Sequence, residues 1–465
     1  MIEADYLVVG AGAMGMAFTD VLLNETEASV AIVDRYGSPG GHWTRAYPFV
    51  RLHRPSTFYG VNSRSLGSGI KDTAGGNAGL FELASGAEVV AYFDQVMNQQ
   101  FLPSGRVQYY PMSEYAEGGS IVSLVSGETR EVKADKLVDA TYSQTMVPSM
   151  RPPAYDVAEG ARCVPLNALT TLDPSPEAYV VVGAGKTGMD ACLWLLDTGV
   201  SPDAISWVMP RDAWSLDREN IQPGPDFFES TVGGFWLQIE AAALATSIDD
   251  LFERLEQTGQ LLRLDQNVKP TMYRCATVSK AELVELRRIK NVVRMGRVQS
   301  IGIDEIVLDN GTVPTTPDTL HIDCTADGLE ARPAVTVFEG DRITLEPVRT
   351  CQPTFSAALI GHVEAAYEDE AEKNELCTPI PYPSTPIGWL RITRQDLINT
   401  ARRNADTDLV AWLNSSRLDA YGAAGRIEGT PSEAQLKILS RIGEHIGAAI
   451  SNLGKLLAHV PDDQI

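Results

Sequence analysis

Apolar residues first gather at Tyr6-Leu7-Val8-Val9, a short run that stops at Gly10. From Met16 they return at helical spacing, and Ser29-Val30-Ala31-Ile32-Val33 forms a second short run ending on Asp34. The pattern predicts strand, turn, amphipathic helix and strand. Residues 87–101 place Val89, Val90, Phe93, Val96 and Met97 on one helical face. Strand-like runs follow at 106–110, 120–125 and 136–141. At Ala178-Tyr179-Val180-Val181-Val182 the opening pattern restarts, with Ile205-Ser206-Trp207-Val208-Met209 as its second strand. Residues 225–264 read as helical. Three more strand-like runs occupy 291–298, 305–311 and 319–326. Residues 355–360 predict a strand that turns through Gly361 into a helix, 379–386 is a proline-rich connector, and two helices fill 394–413 and 432–459. In the last helix Leu436, Leu439, Ile442, Ile446, Ile450, Leu453 and Leu457 share a face, which predicts a packed core face rather than a dimer contact.

The turns after the two leading strands carry the chemistry. Gly10, Gly12 and Gly15 stand at G-x-G-x-x-G spacing, and Gly183, Gly185 and Gly188 repeat it. In such a turn the first glycine permits the sharp bend, the second leaves room for a diphosphate, and the third lets helix and strand pack closely. The helix N-terminus then presents unpaired N–H groups to the phosphates. Asp34 lies about twenty residues past the third glycine, where a carboxylate can accept from a ribose hydroxyl. The string Gly185-Lys186-Thr187 also suggests a P-loop, but that motif needs glycine where Val180 stands. No acid ends the second unit's second strand. Pro210-Arg211 follows instead, and an arginine there suits the 2′-phosphate of NADP(H), although the neighbouring Asp212 keeps NAD(H) open. Both units continue into strand-rich stretches ending in Asp139-Ala140-Thr141 and Asp323-Cys324-Thr325-Ala326, so the sequence reads as a duplication.

Composition narrows the picture. The chain has 465 residues, 44% hydrophobic and 21% charged, enough for two or three domains with a substantial core. A formal net charge of −23 disfavours nucleic acid and anionic membranes as partners. No basic leader and no long apolar span is present, which predicts a cytoplasmic protein. Six dispersed cysteines, with no C-x-x-C pair, offer neither zinc site nor dithiol centre and predict reduced thiols; the six histidines are equally dispersed, so no metal is expected.

The two glycine turns, with Gly40-Gly41-His42-Trp43 after the first acid and Tyr47-Pro48…Arg51…Pro55-Ser56 beyond it, resemble the class B flavoprotein monooxygenases of the flavin-containing, N-hydroxylating and Baeyer–Villiger types. The resemblance covers residues 1 to about 370 in order of elements. It implies an α/β protein with two Rossmann-like dinucleotide-binding domains, the FAD domain split by an inserted NAD(P)-binding domain, plus C-terminal helices. The segments are then 1–170 and 323–390 for the FAD domain, 171–322 for the NAD(P)H domain with a helical insertion at about 225–264, and 391–465 for the C-terminal helices. Gly10, Gly12, Gly15, Asp34, Arg35, Gly41, His42, Trp43 and Gly361 would hold FAD. Gly183, Gly185, Lys186, Thr187, Gly188 and Arg211 would hold NADP(H), or NAD(H). Two departures accompany the likeness. Residues 161–169 lack the Phe-x-Gly-x-x-x-His-x-x-x-aromatic run of the family, and no glycine follows Ala140-Thr141.

The resemblance implies NADPH reducing FAD, and reduced FAD using molecular oxygen to oxygenate a small-molecule substrate. Arg51 is the first candidate for a cation beside the flavin or an anionic oxygen species, or else a surface ion-pair partner. His53 is a candidate proton carrier, or a structural histidine. An NAD(P)H-dependent flavin dehydrogenase or oxidase without oxygen insertion is the alternative, followed by a non-catalytic regulator that keeps the nucleotide-binding fold. Oligomeric state, including a homodimer, stays open.

Overall fold

The computed structural model describes every residue except 117, 173–175, 327, 329–331, 426, 428 and 461–465. Its first layer is a parallel sheet in the order Val107–Tyr110, Val30–Val33, Ile2–Val9, Thr129–Asp139, Arg342–Thr344. Helix α1 (Ala13–Glu25) follows the central strand, and α2 (Gly86–Val96) begins at a capping box formed by Ser85 and Glu88. A second parallel sheet runs Asn291–Val293, Ile205–Val208, Ala178–Val182, Thr319–Asp323, Arg162–Pro165, with α3 (Lys186–Asp197) after its central strand. Each sheet carries its glycine turn at the carboxyl edge of the middle strand, so the structure bears out both the α/β class and the duplication.

The glycines explain why both turns close in the same way. Gly10 and Gly183 have φ of +106° and +131°, open chiefly to glycine. A Cβ on Gly15 would lie 2.0 Å from the Gly10 carbonyl oxygen, and one on Gly188 would lie 2.1 Å from that of Gly183. Behind each turn the same brace recurs. Asp139 Oδ1 accepts from the Thr141 amide and hydroxyl at 2.9 and 2.7 Å, and Asp323 Oδ1 from those of Thr325 at 3.1 and 2.6 Å.

A third body lies outside both sheets. Strands Ala213–Asp217, Leu261–Leu262 and Met272–Val278 form a small sheet beside α4 (Phe228–Leu244) and α5 (Ile248–Gln257), before α6 (Lys280–Leu286) returns the chain to the second unit. Four further helices, α7 (Pro353–Ala366), α8 (Glu370–Leu376), α9 (Pro386–Arg403) and α10 (Thr407–Ser415), precede the short α11 (Ala420–Ala424) and the long α12 (Glu433–Leu457). Trp214, Leu251, Phe252 and Leu255 share one core with Trp389, Leu390, Ala449 and Leu453. The inserted helices and the C-terminal helices, which the sequence reading keeps apart, therefore bury their apolar faces against each other. The stripe on α12 is core at Leu453 and packs at Ile446, Ile450 and Leu457, while Leu436 and Leu439 stay exposed.

Two expectations are corrected. Residues 355–360 form no strand: with Pro353 in its first turn, α7 runs unbroken through Gly361. A short apolar run carries no period that separates the two forms, and burial on all sides of α7 removes the polar face that would have marked a helix. A Cβ on Gly361 would sit 3.1 Å from the Phe18 carbonyl oxygen, so this glycine serves the crossing of α7 over α1 and touches no turn. The second correction concerns the thiols. Cys275 and Cys351, 76 residues apart in sequence, form a disulfide with Cα atoms 6.0 Å apart, because the fold lays the third body's sheet beside the segment entering α7. Cys163, Cys192, Cys324 and Cys377 are free. Among the described residues no helix is long and apolar enough to cross a membrane.

The second turn allows its two helix-side glycines to be told apart. Gly188→Ala forces Cβ into the Gly183 carbonyl and lowers unfolding stability by about 1–3 kcal/mol, as overpacking does. Gly185→Ala meets nothing within 4 Å and leaves the melting temperature of the ligand-free protein unchanged. Parallel thermal or denaturant melts check both outcomes.

Candidate functional site

At the first turn, α1 starts from Gly12 with no side-chain cap and no acid in its first turn, so no side chain caps its N-terminal amides. Nothing but the Gly41 Cα comes within 4 Å of where a Gly12 Cβ would be. Gly41 in turn has φ +58°, and its bare Cα lets the 37–43 loop cross above Gly12. Asp34 is buried, accepting from the Ala11 amide at 2.6 Å and the Tyr36 amide at 2.7 Å. Burial raises its pKa and these two donors oppose the rise. Arg35 is exposed and pairs with Glu114 at 2.7 Å. His42 packs against Trp43, with ring centroids 5.1 Å apart, and burial lowers its pKa to about 4, so the imidazole is neutral. The Trp43 indole donates to the Tyr59 hydroxyl at 2.7 Å.

The second turn is built alike. Helix α3 starts from Gly185, again without a side-chain cap or first-turn acid. Lys186 pairs with Asp190, which also accepts from the Tyr47 hydroxyl at 2.5 Å, while Thr187 is partly buried in the first turn of α3. Phe49 stacks on Trp194 at 5.1 Å. The Tyr47-Pro48-Phe49 run of the first unit thus docks onto the second unit's helix and fixes one turn against the other. Arg211 is exposed just beyond the strand Ile205–Val208. Its neighbour Asp212 is buried and accepts from Nε and Nη2 of Arg294, at 2.7 and 3.0 Å. That carboxylate is committed to Arg294 rather than exposed beside Arg211.

The 51–56 loop of the first unit runs beside the third body. The His53 carbonyl accepts from Arg218 at 3.2 Å and from the Thr277 hydroxyl, which anchors the 51–56 loop to the third body. The His53 ring is enclosed, its Nδ1 has no partner, and its pKa falls to about 3 through burial first and then the charges of Lys186, Arg54 and Arg218. The Tyr47 hydroxyl on Asp190, the partner of Lys186, places the second turn next to a loop of the first unit. Thr350 Oγ1 and Gln352 Nε2, at the start of α7, and the Tyr382 hydroxyl are likewise buried without partners. His42, His53, Arg54, Tyr382 and Tyr421 are surrounded by protein yet keep accessible surface, as groups lining an internal cleft do. Buried polar atoms are ordinarily satisfied, so each of these orphans is open to a ligand with hydrogen-bonding edges.

Of the residues singled out in the sequence, Gly10, Gly12, Gly15, Asp34, Gly41, His42 and Trp43 gather at the first turn, and Gly183, Gly185, Lys186, Thr187 and Gly188 at the second. His53 lies on the cleft between them. Arg51 does not: its side chain is 59% exposed, with Asp72 at 3.9 Å, and its backbone bridges to Ser85. Gly361 lies within α7. Sequence reasoning missed Arg54, Thr350, Gln352 and Tyr382. Arg54 stands in the same short run as Arg51, and an irregular loop carries no period that ranks one arginine over the other.

No protein-family model matches the chain. Among solved structures it is similar to a mutant flavin monooxygenase from Stenotrophomonas maltophilia (14% identity, 79% of this chain and 100% of that chain, TM-score 0.48). It is also similar to cyclohexanone monooxygenase from Rhodococcus sp. Phi1 bound to NADP+ (14% identity, 98% of each chain, TM-score 0.47). Two mycobacterial proteins described as uncharacterized, Rv2000 of Mycobacterium tuberculosis and Mb2023 of Mycobacterium bovis, are each 53% identical over 456 residues, covering 98% of this chain and 85% of theirs. With that identity along nearly its whole length, the chain belongs to the same family as Rv2000 and Mb2023.

Proposed function

We propose that the chain is a flavin-dependent oxidoreductase that binds FAD at the first turn and NADPH at the second, and uses oxygen to oxygenate a small organic substrate. One observation carries this reading: α1 and α3 each begin at a glycine turn, with no side-chain cap on their first amides. FAD would be held by the α1 amides, by Asp34 near the ribose, by Gly41 and Trp43 along its length, and by Thr350 and Gln352 at the start of α7. NADPH would be held by the α3 amides and Lys186, with Arg211 at the 2′-phosphate. A bound flavin would supply hydride acceptance from the nicotinamide and, once reduced, reactivity toward oxygen.

The chain's own residues position and insulate. The uncapped ends of α1 and α3 direct unpaired amides at each diphosphate, where the helix dipole favours negative charge. Trp43, Tyr59 and the Tyr47–Phe49 run close the cleft with aromatic surface, which keeps water out. His53 stays neutral, so its free Nδ1 offers a hydrogen bond without charge.

A second reading, a flavin dehydrogenase or oxidase without oxygen insertion, is favoured by residues 161–169. That segment supplies the edge strand Arg162–Pro165 of the second sheet and a 3-10 turn at Leu166–Thr171, and contributes neither glycine nor histidine. Purified protein loaded with FAD separates the readings. Rapid anaerobic bleaching of the flavin by NADPH is expected under both. Under air, a product carrying one added oxygen atom supports the monooxygenase, whereas peroxide matching NADPH consumption with no oxygenated product supports the second. No FAD uptake sinks both.

Two further outcomes are expected. Arg211→Ser removes charge-assisted contacts of about 1.5–3 kcal/mol, so KM for NADPH rises at least about tenfold while KM for NADH is unchanged; steady-state kinetics with both coenzymes check this. The pKa of His53 is lower folded than unfolded, so its stabilising effect is complete above about pH 6.5 and is lost as pH falls toward 3. Ligand-free wild type therefore loses about 2 kcal/mol more than His53→Asn between pH 7 and pH 5, measured by urea melts at each pH.

A further inference from the structure

Both ends of the Cys275–Cys351 disulfide sit where the backbone leaves regular structure. In the third body's sheet Trp214 pairs with Tyr273 and Leu216 with Thr277, so Ser215 alone spans Arg274, Cys275 and Ala276. Cys275 therefore occupies a bulge, a device that re-aims a side chain and marks functional edges. Cys351 has φ +55°, in the left-handed region that a residue other than glycine enters at a cost. Such a conformation persists only while its surroundings over-determine it, and the bridge to Cys275 is one of those constraints. Both residues keep part of their surface exposed, whereas Cys192, Cys324 and Cys377 are buried.

The turn around Cys351 is sparsely satisfied. Arg349 Nε, Thr350 Oγ1 and Gln352 Nε2 are all buried without a partner. The ties that hold it come from α7, α9 and α11. The Ser356 hydroxyl accepts from the amides of Val348 and Arg349 at 3.1 and 3.2 Å, Arg349 donates to the Thr400 hydroxyl at 2.7 Å, and Gln352 Oε1 accepts from the Ala420 amide at 2.9 Å. The disulfide adds a tie to the third body. On that side Thr277, two residues beyond Cys275, donates its hydroxyl to the His53 carbonyl. The bridge thus joins the strand that anchors the 51–56 loop to the turn whose Thr350 and Gln352 would meet FAD.

We propose that Cys275–Cys351 is a thiol-exchange site, at which a low-molecular-weight thiol opens the bridge, loosens the 349–352 turn and weakens the hold on FAD. A thiolate attacks one sulfur of the bridge, forming a mixed disulfide and releasing the other cysteine as a thiolate that takes a proton from water. A second thiolate then attacks the mixed disulfide and releases the remaining cysteine, so two small thiols lose two electrons and two protons to the protein and leave as one small disulfide. The effect on FAD rests on the preceding reading of Thr350 and Gln352; the exchange itself does not.

The test compares oxidised with reduced wild type. The folded protein is incubated with glutathione, alkylated and mapped by mass spectrometry; Cys275 and Cys351 are expected to be alkylated while Cys192, Cys324 and Cys377 are not. On reduction, amide hydrogen exchange at 349–352 should accelerate by about tenfold or more. Kd for FAD, titrated by calorimetry, should rise by about tenfold or more, and glutathione disulfide should restore both values. Cys275→Ser and Cys351→Ser should bind FAD as the reduced wild type does and ignore glutathione. A bridge that resists glutathione in the folded protein, a reduced protein that no longer melts cooperatively, or unchanged amide exchange at 349–352 overturns the proposal. So does a Kd for FAD that is the same in both states. Should a serine variant fail to fold, the two states of the wild type decide. If neither state takes up FAD, the broader reading has failed, and alkylation with amide exchange decides the thiol site by itself.

Discussion

Two close approaches, Gly15 onto the Gly10 carbonyl and Gly188 onto the Gly183 carbonyl, set the geometry on which this molecule depends. At each, a helix packs against its strand so tightly that any Cβ would overlap a backbone oxygen. The tight packing directs the helix N-terminus at the carboxyl edge of the sheet with its first amides unspent. Behind each turn an Asp-x-Thr brace fixes the neighbouring strand end by the same two hydrogen bonds. The same packing device is thus repeated in two units of one chain.

What ties the two glycine turns and the third body together is the 47–56 loop. Tyr47 and Phe49 pin it to α3, and the His53 carbonyl ties it to Arg218 and Thr277 in the third body. Arg218 is wholly buried and also grips Glu282, the residue that completes the N-terminal capping box of α6. A single guanidinium therefore joins a loop of the first unit, a strand of the third body and a helix of the second. Such a charge holds its position because every nearby acceptor is used, and removing Glu282 alone would leave a buried cation unpaired. The Cys275–Cys351 disulfide adds a covalent tie between the third body and the segment entering α7.

Features that repeat locally were legible in the sequence. Glycine spacing, the apolar runs that precede it and the acid after the second strand are all short-range, so both turns and the two sheets could be derived from residues alone. Features set by tertiary packing were not. Residues 355–360 read as a strand because a fully buried helix shows no polar face. Arg51 and His53 lie two residues apart in an irregular loop, and it is the docking of that loop on Arg218 and Thr277 that encloses His53 while Arg51 stays exposed. The partnership of Cys275 with Cys351, and the shared core of α4, α5, α9 and α12, join segments far apart in the chain that carry no mutual signal.

The central claim is that two dinucleotides meet across one cleft with their diphosphates on the two glycine turns. A crystal structure of the protein soaked with FAD and NADP+ tests it most directly. The account predicts one diphosphate against the amides following Gly12 and another against those following Gly185, with the flavin ring near His53, Thr350 and Gln352. A single bound dinucleotide, or diphosphates lodged away from both turns, would contradict it.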